Sequence, residues 1–146
     1  MELAFSIANA LVLPQWLLMI FAPRWRGTTW LVGSFIVPVL LAVLYAYFLF
    51  SGGSSLDFQS FSTLAGVKKL FATGGDGAVL AGWIHYLAFD LVAGSFVLRD
   101  AQVKAIPHLW IVLPLFFCFM LGPVGLLLYW LVRTVKTQKL DPSATK

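Results

Sequence analysis

The sequence predicts an all-α integral membrane protein, a four-transmembrane-helix bundle with a short interfacial helix between helices two and three. Three observations predict it. Hydrophobic residues make up 60% of the 146 residues and charged residues 11%, against about half and about a quarter in soluble domains. Four apolar runs, 3–22, 30–50, 78–98 and 109–132, have the length of about 20 residues that crosses a hydrocarbon core of about 30 Å. The Lys and Arg residues stand singly or in pairs at the ends of those runs, as interfacial anchors do. A soluble chain of this size buries only about two-thirds of its unfolded surface, which would leave a largely apolar exterior. Lipid is the solvent this composition suits.

The first run closes on Pro23-Arg24-Trp25-Arg26-Gly27, whose Trp and Arg residues fit the headgroup zone, so the first two helices form a hairpin. The longest connection, 51–77, is bounded by Gly clusters that break helices. Between them Phe58, Phe61, Leu64 and Phe71 recur at roughly helical spacing over a stretch too short to span, as in a helix lying in the interface. The connection 99–108 ends in Pro107, which suits the start of the next helix. Residues 1–133 form one transmembrane domain and 134–146 a hydrophilic tail. An even number of spans puts both termini on one side. Six cations there, against four on the other, assign that side to the cytoplasm. Met1-Glu2 precedes the first run without a basic n-region or an Ala-x-Ala site, so no removed signal peptide is expected.

Polar residues inside the membrane are the functional candidates. Asp90 is the thirteenth residue of its run, near the midplane, where an ionised carboxylate costs about 2.5–3.5 kcal/mol on insertion scales. Burial favours its neutral acid. His85 is five residues earlier, which on a helix separates the two side chains by about 140° and about 7.5 Å of rise. Helices one and three cross in the same direction. Counted from a common side, Asn9 then lies at the level of His85, and Gln15 at the level of Asp90. Pro14, Pro38 and Pro123 fall at similar depth, each freeing a backbone carbonyl that needs a partner. Together these place a polar cavity at mid-membrane lined by Asn9, Gln15, His85 and Asp90, with Trp83, Tyr86, Asp90 and Gly94 along one face of helix three. Such a site takes an elongated apolar ligand with a few polar groups. Arg99, Asp100, Lys104 and His108 form a second polar cluster at the opposite membrane face. The lone Cys118 lies in an apolar run and reads as a packed apolar residue.

Trp83-Ile84-His85, Leu87, Asp90-Leu91, Asp100, His108 and Gly122-Pro123-Val124-Gly125 carry a resemblance. With Phe5 to Asn9, Leu13 to Trp16 and Pro23, they make the chain similar to the plant neoxanthin-synthesis proteins of the abscisic-acid-deficient type and their bacterial relatives. The resemblance implies a role in converting an epoxy-carotenoid, violaxanthin, to the allenic neoxanthin, or a reaction on a related isoprenoid. It also implies a bacterial cell membrane or a photosynthetic membrane as the setting. Opening an epoxide to an allenic alcohol needs an acid at the epoxide oxygen and a base for a neighbouring proton. Asp90 is the candidate acid and His85 the candidate base, or the reverse, with Asn9 or Gln15 holding the oxygen and Trp83 and Tyr86 flanking the substrate.

Three other classes stay open: a non-enzymatic binder of a pigment, quinone, haem or metal through His85 or His108, a proton or small-solute path through the polar layer, and a structural subunit or assembly factor. The partners expected are a lipid-soluble small molecule and membrane lipid. No cofactor is required by any motif, and P-loop, His-Glu-x-x-His and Gly-x-Ser-x-Gly patterns are absent. A metal bound by His85, Asp90 and a residue of another helix is a further possibility. No basic stripe of the kind that binds nucleic acid is present.

Overall fold

A computed structural model describes residues 1–51 and 58–137. Every regular element among the described residues is helical: α1 (Glu2–Phe21), α2 (Arg26–Ser34), α3 (Ile36–Ser51), a 3-10 turn at Phe58–Ser62, α4 (Leu64–Thr73), α5 (Gly75–Val103), α6 (Leu109–Leu121) and α7 (Pro123–Thr137). Three helical stretches are long and apolar enough to cross a membrane: Glu2–Phe21, Arg26–Ser51 and Gly75–Val103. The second of these, expected as one unbroken helix, is interrupted at Phe35, whose φ of 56° is left-handed. The backbone has a reason to yield just there, because Pro38 in the first turn of α3 has no N–H to give to a residue four positions back.

α5 is the organising helix and touches α1, α3, α4, α6 and α7. Its 29 residues span about 43 Å at 1.5 Å per residue, so it overhangs a core of about 30 Å at its ends. Ile84, Leu91, Val97 and Leu98 are buried along it. α1 runs parallel to it, as expected for first and third crossings: Asn9 meets Trp83, Gln15 meets Ser95, and the Pro23 carbonyl accepts from Gln102. The expected helix in the 51–77 connection forms as α4, whose N-cap Thr63 accepts from the Gly66 N–H at 3.0 Å. This is a standard cap. The Phe71 ring lies against Gly82 of α5, while the first Gly cluster of the connection lies outside the described residues.

The fourth run is not one continuous helix. In a straight helix Trp110 and Lys136 would be about 39 Å apart; the Lys136 ammonium instead sits 3.7 Å from the centre of the Trp110 ring. α6 and α7 fold back on each other as an antiparallel hairpin. Gly122 turns the chain with φ 22° and ψ −80°, and Pro123, which has no N–H, starts the return helix where that N–H would be unused. Gly125 lets the two arms close, since a Cβ there would run into the backbone of Cys118. Irregular backbone at membrane depth is tolerated when protein covers it, and Gly122 is buried.

In place of a fourth continuous helix over 109–132, the described residues therefore give three stretches long and apolar enough to cross a membrane plus an antiparallel α6–α7 hairpin. Residues 1 and 133 also stand at opposite ends of α5, where both termini were expected on one side. Met1 approaches Gly77 at the start of α5, whereas Arg133, near the end of α7, pairs with Asp100 at the other end of α5. The physical reason is the Gly-Pro pair, which breaks a run whose apolar composition alone looks continuous.

Candidate functional site

The hairpin tip meets α5 at Asp90. Ten residues separate Asp90 from Asp100, about 15 Å along the helix, while the 13 residues of α6 reach about 20 Å inward. The tip thus lies at the level of Tyr86 and Asp90. The Tyr86 hydroxyl donates to the Met120 carbonyl at 2.6 Å, one of the last α6 carbonyls, which helix geometry leaves unpaired. Asp90, 6% exposed, points its carboxyl at Gly122, where a Cβ would collide with Oδ1. Tyr86 and Asp90, one turn apart, interact through their side chains, and Cys118 lies within electrostatic range of the carboxyl. Asp90 Oδ2 is buried without a hydrogen-bond partner. Leaving a buried acceptor unmet costs about 1–3 kcal/mol.

A lane of aromatic rings leads to that carboxyl. Phe5 and Trp83 stack at 5.8 Å, Trp83 and Tyr86 at 5.5 Å. The Trp83 indole N–H donates to Asn9 Oδ1 at 3.3 Å, and the Asn9 amide donates to the Phe5 carbonyl at 2.7 Å. Trp83 is 39% exposed, so the lane begins at the lipid-facing surface and ends at a buried acid. Beyond Asp90, Gly94 accepts the Trp16 ring, which lies 5.5 Å from Phe119 of α6 and closes the far end. Asn9, Trp83, Tyr86 and Asp90 are thus consecutive neighbours.

The other expected members stand apart. Gln15 donates to the Ser95 hydroxyl at 3.0 Å in a separate buried pair, its Oε1 unmet. His85 is exposed between Tyr45 of α3 at 5.5 Å and Phe89 at 4.5 Å. The single mid-membrane cavity lined by all four polar residues does not form, because equal depth does not imply a common face: the roughly 140° between His85 and Asp90 places α3 beside one and the hairpin beside the other.

At the far end of α5 the second cluster is a closed network. Asp100 accepts from Lys104 at 2.9 Å and from the Tyr129 hydroxyl at 2.6 Å, and faces Arg133 Nε at 3.4 Å. His108 belongs elsewhere, its Nε2 lying 2.8 Å from the Ile20 carbonyl. Arg99 is exposed and lines a shallow groove with Gln102 and Pro23. Sequence reasoning missed Tyr129, Arg133, Met120, Cys118 and Gly122 as neighbours of the two aspartates. The signal that could have found them is Gly122-Pro123, a turn dipeptide in the middle of an assumed span. Among the described residues, no three His, Cys, Asp or Glu side chains gather to hold a metal ion.

Compared with known proteins, the chain is 29% identical over 139 residues to "Protein ABA DEFICIENT 4, chloroplastic" of Arabidopsis thaliana, a match that takes in 90% of this chain. It spans about 60% of the length of that relative. No solved structure matches it. The ABA DEFICIENT 4-like family model matches residues 3–129, a stretch that holds the aromatic lane, both aspartates and the hairpin tip. By that match over most of its length, the chain belongs to the ABA DEFICIENT 4-like family.

Proposed function

We propose that this protein is a membrane-embedded isomerase of an epoxy-carotenoid or a related isoprenoid, with Asp90 as the group that handles the proton. The observation that carries this reading is the buried carboxyl at the hairpin tip, one oxygen unmet, at the end of an aromatic lane that starts in lipid. A polyene needs an apolar, ring-lined approach, and its oxygenated end group needs a polar contact at the end of it. Family membership and the resemblance to neoxanthin-synthesis proteins support the substrate class.

The conversion of an epoxide to an allenic alcohol is an internal rearrangement, so it consumes no co-reactant. The epoxide C–O bond breaks as a proton reaches its oxygen, and a proton leaves the neighbouring carbon. In its neutral form the Asp90 carboxyl can supply the first proton from one oxygen and accept the second on the other. This replaces the pairing with His85, which faces α3. The Tyr86 hydrogen is committed to Met120, so the Tyr86 oxygen is free to accept and to orient the acid. Entry of an end group requires the Gly122 turn to move off Asp90, and the Tyr86–Met120 bond is the contact it would break.

A second reading draws on the exposed His85 and Phe89 rings beside the half-buried Tyr45, which suit non-enzymatic holding of a flat pigment on the α3 side. A proton path has less support, because Asn9–Trp83 and Gln15–Ser95 are separate pairs with no hydrogen bond to Asp90 among the described residues.

The test is expression of the wild type, Asp90→Asn and His85→Gln in a host that accumulates violaxanthin, with extracted carotenoids compared by chromatography and mass spectrometry. A product of unchanged mass from the wild type and His85→Gln, absent with Asp90→Asn, supports the isomerase. Conversion that survives Asp90→Asn, or no conversion by membrane-inserted wild type, rejects it for this substrate.

A further inference from the structure

The closed network around Asp100 borders a groove of about 400 Å³ lined by Phe96, Leu126, Leu127, Tyr129, Trp130 and Arg133. Phe96 comes from α5 and the rest from one face of α7. Leu126 to Arg133 covers about 10 Å of α7, running from the membrane face toward the hairpin tip. Leu127, Trp130 and Phe96 are about half exposed, so the groove opens sideways to lipid. Its inner wall is apolar and its outer end carries Arg133.

The charges at that end do not cancel. Asp100 faces both Lys104 and Arg133, and Lys136, one turn past Arg133, is held over the Trp110 ring. Three cations against one carboxylate leave that end of the bundle net positive, and of the three Arg133 lines the groove itself. Asp100 engages Arg133 only through Nε, which fixes the guanidinium while its terminal amino groups, the ones that bind phosphate in a planar fork, have no protein partner among the hydrogen bonds and ion pairs of the described residues. The whole face is basic too: Arg24, Arg26 and Arg99 lie at the same end of the bundle.

We propose that this groove is a binding site for an anionic phospholipid, with its phosphate on Arg133 and Lys136 and one acyl chain laid along Phe96, Leu127 and Trp130. Along α5 the Phe96 wall of the site is about 9 Å from Asp90 and its charged end about 15 Å, and the proposal does not depend on the isomerase reading. Occupied, it would clamp α7 to α5 and thereby hold the hairpin whose tip covers Asp90.

Purified wild type in mild detergent would be titrated with phosphatidylglycerol, phosphatidylcholine and inorganic phosphate, with bound lipid counted by native mass spectrometry and thermal stability followed in parallel. Phosphatidylglycerol should bind and stabilise more than phosphatidylcholine does, and inorganic phosphate should have little effect. Arg133→Gln should weaken phosphatidylglycerol binding about fivefold, the ratio expected for one cation near an anionic surface. Because Arg133→Gln also disturbs Asp100, Leu127→Trp serves as the second variant: it fills the groove, keeps every charge, and should displace the lipid. Lys68→Gln, on the opposite face, should bind as the wild type does. Equal binding of the two phospholipids, or full phosphatidylglycerol binding by both Arg133→Gln and Leu127→Trp, would overturn the site. So would inorganic phosphate matching the lipid, or a xanthophyll displacing it from the groove.

Discussion

Two aspartates on one helix, ten residues apart, have been given opposite surroundings. Asp100 has a lysine, an arginine and a tyrosine hydroxyl around it and stands near solvent. Asp90 is buried against a glycine turn, with one oxygen unmet and a tyrosine whose proton is already spoken for. A carboxylate with both oxygens answered is a fastener, and here it holds the end of the hairpin to the end of α5. A carboxyl whose burial is left uncompensated costs stability and is poised for something else, which is how intramembrane acids at functional sites commonly stand. The contrast separates an acid whose partners account for it from one whose surroundings leave it unanswered, and it is the second to which the proposal gives the proton chemistry.

The comparison breaks outright if α6 and α7 form one crossing helix, because Arg133 could then never reach Asp100. Single cysteines placed at Glu2 and Lys136, in a Cys118→Ser background, should label from opposite sides of sealed vesicles. The redrawn topology leaves six cations, Arg24, Arg26, Arg99, Lys104, Arg133 and Lys136, at one end and Lys68 and Lys69 at the other. The positive-inside rule then expects position 136 inside and position 2 outside. Labelling of both positions from one side would restore the four-span reading.

Next in size is chemistry. Asp90→Asn keeps the shape and removes the transferable proton, so conversion should fall by about 10²–10⁴-fold, the range of general acid–base catalysis, while the folded protein survives. Asp100→Asn should do the reverse, retaining conversion in the molecules that fold while lowering stability by about 1–2 kcal/mol as its charge-assisted bonds weaken, measured by thermal unfolding in detergent. Equal loss of activity in both variants would erase the distinction drawn here.

Gly122→Ala sharpens it from the other side. A methyl at a left-handed φ and against Asp90 Oδ1 should cost about 1–3 kcal/mol and lower conversion by displacing the carboxyl. Smallest of all is His85→Ala: its ring stacks on Tyr45 and Phe89 at an exposed site, so stability should change by about 0.5 kcal/mol and conversion stay near wild type. A loss of conversion comparable to that of Asp90→Asn would return His85 to the chemistry.

The lipid solvent, the positions of α1 and α5 within a few residues, their parallel course and the identity of Asp90 as an anomaly were all legible in the sequence, because each depends on composition along one helix. The aromatic face of Trp83, Tyr86 and Asp90 was legible for the same reason, being a matter of helical period. What could not be read were the partners across helices. Depth counting put Asn9 beside His85 and Gln15 beside Asp90, but side chains meet by facing as well as by level, and facing depends on how each helix is rotated in the bundle.

The sequence by itself therefore determined that this protein carries helices apolar enough for a membrane and which acid is out of place in them, since the cost of exposing apolar groups to water and of burying a carboxyl is set residue by residue. Only the tertiary structure decided that the last apolar run turns back on Gly122, that Asp100 and not Asp90 receives the cations, and that His85 looks outward. Those outcomes depend on a glycine lying where two helix arms must touch and on a turn lying where α5 presents its acid, relations between distant segments that no local pattern encodes.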